Sequence, residues 1–163
     1  MTVAALDRLM AFEAIRQLKA SYCRFVDTKQ WDRLATLFAT EATVEGFGSA
    51  PDGSGISAFL QGVAGFLGPA ISIHHVHEPQ IAITGPDSAR AVWPMMDYVE
   101  RPGAATPAER GWIGWGYYEE EYVRTAEGWR IAFMRLARQR MDDLTPDHAQ
   151  PRPGRIPPVP DWI

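Results

Sequence analysis

The fold is decided by residues 111–141, GWIGWGYYEEEYVRTAEGWRIAFMRLARQRM. This stretch holds two runs rich in aromatic and β-branched residues, Gly111 to Arg124 and Trp129 to Met141, which flank a polar turn from Thr125 to Gly128. Such runs, bounded by turn residues, are typical of β-strands. The stretch therefore predicts two long antiparallel strands joined by a tight turn.

Two further strands are predicted upstream of this pair. Ile71 to Thr84 is closed by Gly85-Pro86-Asp87, and Ala89 to Glu100 is closed by Arg101-Pro102-Gly103. Glycine, proline and aspartate are the residues that turns favour. We therefore predict a sheet of four long antiparallel strands in the second half of the chain.

The first half is mainly helical. Between Ala11 and Val26 the apolar residues recur at helical spacing, which predicts a long amphipathic helix. A shorter helix is expected from about Trp31 to Phe38, and a third from near Ile56 to Leu67, where Gly68-Pro69 stops it. A short strand, Ala42 to Gly46, and a loop rich in glycine, serine and proline lie between the second and third helices.

The predicted element order is ααβαββββ, which indicates the α+β class. Three N-terminal helices packed on a strongly curved, mainly antiparallel sheet close into a cone-shaped α+β barrel. The open end of such a cone forms a pocket between the first helix and the inner face of the sheet, and we expect the function to lie there.

The composition is that of one ordinary globular domain. The chain has 163 residues, of which 46% are hydrophobic and 22% are charged, a balance that excludes a disordered or membrane chain. The net charge of -4 argues against nucleic-acid binding, which needs a basic surface.

Residues 1–10 contain neither a basic start nor a long apolar stretch, so we expect no signal peptide and no membrane partner. Cys23, the single cysteine, cannot form an intrachain disulfide and suits a reducing compartment. We therefore predict a cytoplasmic protein.

The last segment, Asp142 to Ile163, contains six prolines and can continue neither strand nor helix. We expect a domain over residues 1–141 and an extended tail over 142–163. The apolar end of the tail, Asp161-Trp162-Ile163, either docks on a surface, where it caps the pocket or reaches a neighbouring subunit, or stays disordered.

Three of the four histidines lie in the run Ile73-His74-His75-Val76-His77. On a strand, alternation places His74 on one face and His75 with His77 on the other. His75 and His77 form an H-x-H pair, yet no third ligand matches it, so we predict no metal site. The alternative for each histidine is a half-buried sheet residue satisfied by its neighbours.

Asp27 falls at the end of the first helix, where the helix dipole disfavours a carboxylate. One interpretation is functional: in a pocket, Asp27 can accept the Nδ1 proton of a histidine and orient that ring as a base. The other is local, because Asp27-Thr28-Lys29-Gln30 also reads as a capping box for the second helix.

Further polar candidates are Tyr22, Asp97 and Arg135. Tyr22 shares the apolar stripe of the first helix, so the alternative is that it is a core residue. Asp97 interrupts an apolar strand, and the alternative is that it faces solvent. Arg135 is spaced to share a face with Ile131, where it can hold an anion, although Arg138 and Arg140 suggest instead a basic run on a solvated strand. Glu119 to Glu121 read as surface charge.

We expect a pocket lined by large apolar side chains, which suits a small, largely apolar, cyclic ligand. The predicted lining is Phe59, Phe66, Trp93, Met95, Trp115 and Tyr117.

These segments resemble the SnoaL-like branch of the nuclear transport factor 2-like superfamily, and that resemblance implies a cystatin-like fold. The matching residues extend over nearly all of 7–141 and include Ala14 to Leu18, Phe25-Val26-Asp27, Trp31 to Leu34, His74-His75-Val76, Gly116-Tyr117-Tyr118 and Gly128 to Ile131. The superfamily hosts enzymes, binding proteins and accessory subunits, so the resemblance implies the fold but does not by itself identify the function.

Within this branch the chain is similar to hexachlorocyclohexane dehydrochlorinase, bile-acid dehydratase and scytalone dehydratase. That resemblance implies a cofactor-free lyase in which Asp27 and His74 form a general-base dyad, with Tyr22, Asp97 or Arg135 assisting the leaving group. The match to Arg135 requires a one-residue slip of register.

Other functions stay open on the same fold. A SnoaL-like isomerase or cyclase uses the same dyad, whereas a carrier of hydrophobic ligands, or an accessory subunit, needs no contact between Asp27 and His74. Aromatic residues on the sheet predict self-association, and the resemblance favours a trimer over a dimer.

Overall fold

A computed structural model describes residues 3–145 and 156–161. In these ranges the helices are α1 (Val3–Asp27), α2 (Trp31–Ala35), α3 (Ile56–Leu67) and α4 (Pro107–Arg110). The strands are β1 (Phe38–Glu45), β2 (Ser54–Gly55), β3 (Ile71–Val76), β4 (Gln80–Gly85), β5 (Ser88–Glu100), β6 (Gly111–Thr125) and β7 (Gly128–Asp143).

The strands form one curved sheet against which the helices pack. Its order is β2-β1-β7-β6-β5-β3, with β4 also paired to β5. β1 runs parallel to β7, and the other pairs are antiparallel. The predicted α+β class, with helices on a mainly antiparallel curved sheet, is confirmed.

The first predicted long strand is in fact two. β3 pairs with the second half of β5 and β4 with its first half, and residues 77–79 interrupt the strand between them. Pro79 has no backbone N–H to give to the ladder, which is one reason why the strand breaks here. The short elements β2 and α4 were not predicted, and α2 ends at Ala35 rather than Phe38.

The core is built from the predicted stripe of α1 and the inner face of the sheet. The stripe residues are all buried: Ile15, Leu18, Tyr22, Phe25 and Val26. The Cys23 thiol lies beside them, and burial raises its pKa to about 12.

Two irregularities in β7 decide which of its side chains face the core. The register against β6 shifts between Tyr122↔Ile131 and Glu121↔Phe133, and again between Gly116↔Arg138 and Trp115↔Arg140. Each shift inserts one extra residue, a β-bulge, which reverses the alternation of faces beyond it. Ile131, Met134 and Leu136 are consequently all buried.

The C-terminal segment 156–161 contacts the end of α1 and the start of α2. Arg24 donates to the carbonyl of Val159 at 2.6 Å, and Arg33 lies 3.5 Å from the Asp161 carboxylate. The predicted docking residues Trp162 and Ile163 fall outside the described residues.

None of the helices found within residues 3–145 and 156–161 has the length and apolarity needed to cross a membrane.

Candidate active site

A cavity of about 400 Å³ opens between α1, α3 and the inner face of the sheet. Most of its wall is apolar, and its titratable side chains are those of His74, Asp97, Arg138, Tyr22 and Tyr118. Other lining residues are Val26 of α1, Phe47, Val63, Phe66 and Leu67 of the loop and α3, and Val99, Trp112 and Leu136 of the sheet.

Asp27 and His74 are joined at one wall of this cavity. Asp27 Oδ1 lies 2.6 Å from His74 Nδ1, and Asp27 Oδ2 accepts the backbone N–H of His74 at 2.7 Å. The Ser72 hydroxyl donates to Oδ1 at 3.0 Å. A carboxylate with these donors fixes the imidazole as the Nδ1–H tautomer, which leaves Nε2 as the basic nitrogen.

The alternative reading of Asp27 as a helix cap is wrong. α2 begins only at Trp31, its N-cap residue is Gln30, and no side chain caps it. The Asp27 carboxylate therefore bonds across to β3 instead of to its own chain neighbours.

A second polar pair stands beside the first. Asp97 lies opposite His74 on the neighbouring strand and is 2% exposed. Arg138 of β7 donates two hydrogen bonds to its carboxylate, from Nη1 to Oδ1 at 2.6 Å and from Nη2 to Oδ2 at 2.5 Å. Burial lowers the pKa of the Arg138 guanidinium, but the bonds and charge of Asp97 outweigh it, so that pKa is raised overall.

Gly114 makes room for this pair. A Cβ there would lie 2.2 Å from Arg138 Nη1 and 2.5 Å from Asp97 Oδ1. Any larger residue would displace one of the two side chains.

Two tyrosines form the inner wall of the cavity. The rings of Tyr22 and Tyr118 meet edge to face with centroids 5.9 Å apart. Burial raises the pKa of both phenols well above the ordinary value. Both therefore stay protonated, and because one hydroxyl donates to the other, one O–H is left to donate to a ligand.

Behind the tyrosines lies a buried ion pair between Lys19 and Glu120. The Lys19 Nζ stands 3.5 Å from the Tyr118 ring centroid and 4.2 Å from that of Tyr22. Tyr122 donates to Glu120 and in turn accepts a 2.9 Å bond from Trp93 Nε1. The reading of Glu120 as surface charge is wrong, because it shares the inner face of β6 with Tyr118 and Tyr122.

The prediction that Arg135 faces the pocket is also wrong. Its side chain is 51% exposed and pairs with Glu119 on the outer face of the sheet. The extra residue in β7 after Ile131 reverses the side-chain alternation that was assumed. The inward guanidinium is that of Arg138, which the sequence reading had assigned to a solvated strand.

The predicted lining is only partly correct. Phe66 lines the cavity, whereas Phe59, Trp93 and Met95 are buried in the core around it. Trp115 and Tyr117 lie on the outer face, where Arg140 stacks over the Trp115 ring at 5.7 Å. Aromatic residues occupy both faces of β6, so alternation alone did not identify the inner one.

The pair His75 and His77 is exposed on the other side from His74. In the described ranges no three histidine, cysteine, aspartate or glutamate side chains are grouped to hold a metal ion.

The residues missed by sequence reasoning are Arg138, Tyr118 and Gly114. Tyr118 lies on the same face of the strand as Trp112 and Tyr122, and this alternation is visible in the sequence. The aromatic residues Trp115 and Tyr117 favour the opposite face equally, so the pattern did not decide which face is inside. Gly114 shares the face of Tyr118 on β6, whereas the position of Arg138 depends on the bulge in β7 after Ile131 and carries no local signal.

The sequence of residues 7–135, which is most of the chain, matches the family model of the SnoaL-like domain. The chain belongs to the SnoaL-like domain family. This SnoaL-like protein is 27% identical over 139 residues to the probable cyclase FGR4 of Gibberella zeae, a match that covers 76% of the chain and 88% of the cyclase.

Solved structures share the fold of this SnoaL-like protein. A hexachlorocyclohexane dehydrochlorinase, LinA type 2, matches with a TM-score of 0.76 and 20% identity over 93% of this chain and 99% of its own. A scytalone dehydratase-like protein from Novosphingobium aromaticivorans matches with a TM-score of 0.72 and 22% identity over 94% and 99%. At this identity the likeness establishes the architecture.

Proposed function

We propose that the protein is a cofactor-free lyase that eliminates water or hydrogen halide from a small hydrophobic cyclic substrate. The observation that carries the proposal is the 2.6 Å contact between His74 Nδ1 and Asp27 Oδ1 at the wall of an apolar cavity. An oriented imidazole in such surroundings is suited to take a proton from carbon.

In the proposed reaction, His74 Nε2 takes a proton from the carbon next to the one that bears the leaving group. The C–H electron pair becomes the new C=C bond, and the leaving group departs with its own pair as halide, or as hydroxide that is protonated to water. Asp27 stabilises the imidazolium that forms.

Negative charge that develops during elimination has two sets of donors beside the base. Arg138 is held cationic by Asp97, and Tyr22 and Tyr118 keep their protons because burial raises the pKa of both phenols. Preorganised donors of this kind stabilise a transition state without reorganising at the moment of reaction.

The cavity supports the substrate class. A volume of about 400 Å³ walled by Val26, Phe66, Val99 and Leu136 suits one small ring system. The ionisable groups His74, Asp97 and Arg138 lie together, because Asp97 is opposite His74 on β5 and bonds to Arg138, so the substrate is expected to carry a polar group there.

Similarity to named enzymes also supports the proposal. The dehydrochlorinase and the scytalone dehydratase-like protein share the fold, and their names describe eliminations. The relative named a probable cyclase favours a second candidate, an isomerase or cyclase that uses the same proton abstraction without loss of a leaving group.

The contact between Asp27 and His74 argues against a carrier or accessory subunit. A ligand carrier needs only the cavity and gives no reason to hold a carboxylate against an imidazole. An accessory subunit is expected to have its pocket filled.

The test is a turnover screen with two sets of probes. Hexachlorocyclohexane isomers are assayed by release of chloride, and cyclic β-hydroxy ketones by the ultraviolet absorbance of the enone that dehydration produces. With an active probe, His74→Ala is expected to lower kcat/KM by about 10²- to 10⁴-fold, the usual contribution of a general base.

His75→Ala is the matched control, because His75 is the neighbouring residue and its side chain is exposed on the opposite face. It is expected to keep wild-type activity. Retention of most activity by His74→Ala would remove the base from the mechanism, and a rearranged product with no eliminated group would favour the isomerase or cyclase.

A further inference from the structure

We propose that Lys29, acting through Ser72, is a positioning residue that tunes the basicity of His74 from behind the dyad. This inference rests on the proposed role of His74 as a base. It assigns a role to two residues that touch neither the cavity nor the substrate.

The residues form one continuous chain of hydrogen bonds. Lys29 Nζ donates to Ser72 Oγ at 2.7 Å, Ser72 Oγ donates to Asp27 Oδ1 at 3.0 Å, and Asp27 Oδ1 lies 2.6 Å from His74 Nδ1. The same carboxylate oxygen therefore receives both the serine and the imidazole. The ammonium group of Lys29 therefore ends the chain three hydrogen bonds from the ring.

The backbone around Lys29 ends α1 and directs the lysine side chain toward β3. Lys29 has a φ of 61°, the single positive φ of a residue other than glycine in the described ranges. This left-handed conformation belongs to the Schellman motif that ends α1, in which the N–H of Lys29 bonds to the carbonyl of Val26 at 3.2 Å and the N–H of Gln30 to that of Phe25 at 2.8 Å. It turns the chain directly after α1, so that the lysine side chain reaches Ser72 on β3.

The lysine is half-buried, and its bond goes to a hydroxyl. Burial lowers the pKa of its ammonium group, and the Asp27 charge offsets part of that effect. A partly desolvated cation acts on its neighbours more strongly than an exposed one, because less solvent screens it.

The groups that face His74 come from every element packed against it. On the cavity side they are Tyr22 of α1, Asp97 of β5, Tyr118 of β6 and Arg138 of β7. On the other side Asp27, Ser72, Cys23, Arg24 and Thr28 line a second cavity of about 750 Å³ below the segment 156–158. Asp97 and Arg138 neutralise one another, so the charges left around the ring are those of Asp27, Lys29 and Arg24. Arg24 donates to the carbonyls of Val159 and Pro160, whereas Lys29 is linked to the Asp27 carboxylate through Ser72.

The opposing charges of Asp27 and Lys29 set the basicity of the His74 ring. Asp27 favours a protonated imidazole, whereas Lys29 disfavours it and stabilises the carboxylate. A neutral imidazole is the form that can take a proton from carbon, and one that is not overly basic can release the proton afterwards.

The experiment is a pH titration of the His74 ring by ¹⁵N NMR in the full chain, with Lys29→Gln, Lys29→Arg and Ser72→Ala variants. Loss of the cation is expected to move the midpoint of the His74 titration upward, because a positive charge linked to the Asp27 carboxylate disfavours the imidazolium. Lys29→Arg keeps the charge and is expected to keep the midpoint. Ser72→Ala is expected to move the midpoint in the same direction as Lys29→Gln.

Arg33→Gln is the matched control. Arg33 is a cation of the neighbouring helix turn whose bond goes to Gln30 at 2.8 Å, away from the dyad. The proposal is overturned if Lys29→Gln leaves the midpoint unchanged, or if Arg33→Gln moves it as far. A drop in melting temperature without a titration shift would show a merely structural lysine and would also overturn it.

The titration needs no turnover, so it separates the two proposals. If His74→Ala stays active, the proposed function fails whatever the titration shows. If Lys29→Gln does not shift the midpoint, only the proposed role of Lys29 fails.

Discussion

Replacement of Glu120 by Gln is expected to destabilise the fold by about 3–5 kcal/mol, the cost of breaking a buried ion pair from one side. Both side chains of the Lys19–Glu120 pair are 0% exposed. The substitution keeps the shape and an acceptor for Tyr122, but it leaves the Lys19 ammonium in the core without an anion.

The remaining contacts of Lys19 cannot replace that anion. They are the faces of the Tyr118 and Tyr22 rings at 3.5 and 4.2 Å and the Met134 sulfur at 3.9 Å. A desolvated cation–π contact is worth about 2 kcal/mol, and a thioether is a weak acceptor. Desolvation of an ammonium costs several kcal/mol, and wild type already has these contacts, so the loss of the carboxylate is not offset.

Glu121→Gln is the matched control. It makes the same chemical change one residue later on β6, on the outer face, where Glu121 pairs with Arg90 and the two side chains are 47% and 69% exposed. Exposed pairs contribute at most about 1 kcal/mol. The difference between the two variants therefore isolates burial.

The assay is urea unfolding followed by far-ultraviolet circular dichroism and tryptophan fluorescence. Adding Lys19→Met to Glu120→Gln removes the stranded cation and is expected to recover much of the loss. The reasoning is refuted if Glu120→Gln costs no more than Glu121→Gln, or if the double variant is as unstable as the sum of the single ones.

Three further predictions concern other parts of the molecule. Gly114→Ala is expected to cost about 1–3 kcal/mol and to disturb the adjacent buried carboxylate–guanidinium pair, whereas Gly65→Ala, with nothing within 4 Å of its new methyl group, is expected to be neutral or mildly stabilising in urea unfolding. Burial raises the pKa of the Cys23 thiol from 9.0 to about 12, so the native protein should not react with Ellman's reagent near about pH 8 while the unfolded protein should. Because the folded protein holds the thiol proton more tightly than the unfolded protein, this group's contribution to the free energy of unfolding is complete below the unfolded pKa of 9.0 and is lost as the pH rises toward 12. Urea unfolding at a series of pH values measures this loss. We propose self-association through the outer sheet face, so Trp115→Glu should reduce the mass found by light scattering, and an unchanged mass would contradict this.

Much of the fold was predictable because it depends on local chemistry. The stripe of α1 repeats at helical spacing, and the turn that ends at Gly128 separates two runs of strand-forming residues. The split between β3 and β4 was missed although Pro79 marks it, because both pieces pair with the same strand.

The candidate site was less predictable. Asp27 and His74 were paired by resemblance, and the capping box at Asp27 was an equally good local reading of the same residues. The choice between them depends on a bond to β3, 47 residues away.

The sequence by itself determined the class of fold, the order of its main elements and the residue types available for chemistry, because helical spacing, turn residues and charge are properties of neighbouring positions. Only the tertiary structure decided which side chains share the cavity. An extra residue in β7 turns Arg135 outward and leaves Arg138 facing Asp97, and the phase of β6 buries Glu120 and Tyr118 while Trp115 and Tyr117 face out. The physical reason is that the face of a strand residue is set by register against its partners, and a bulge that shifts the register is stabilised by contacts made across the sheet.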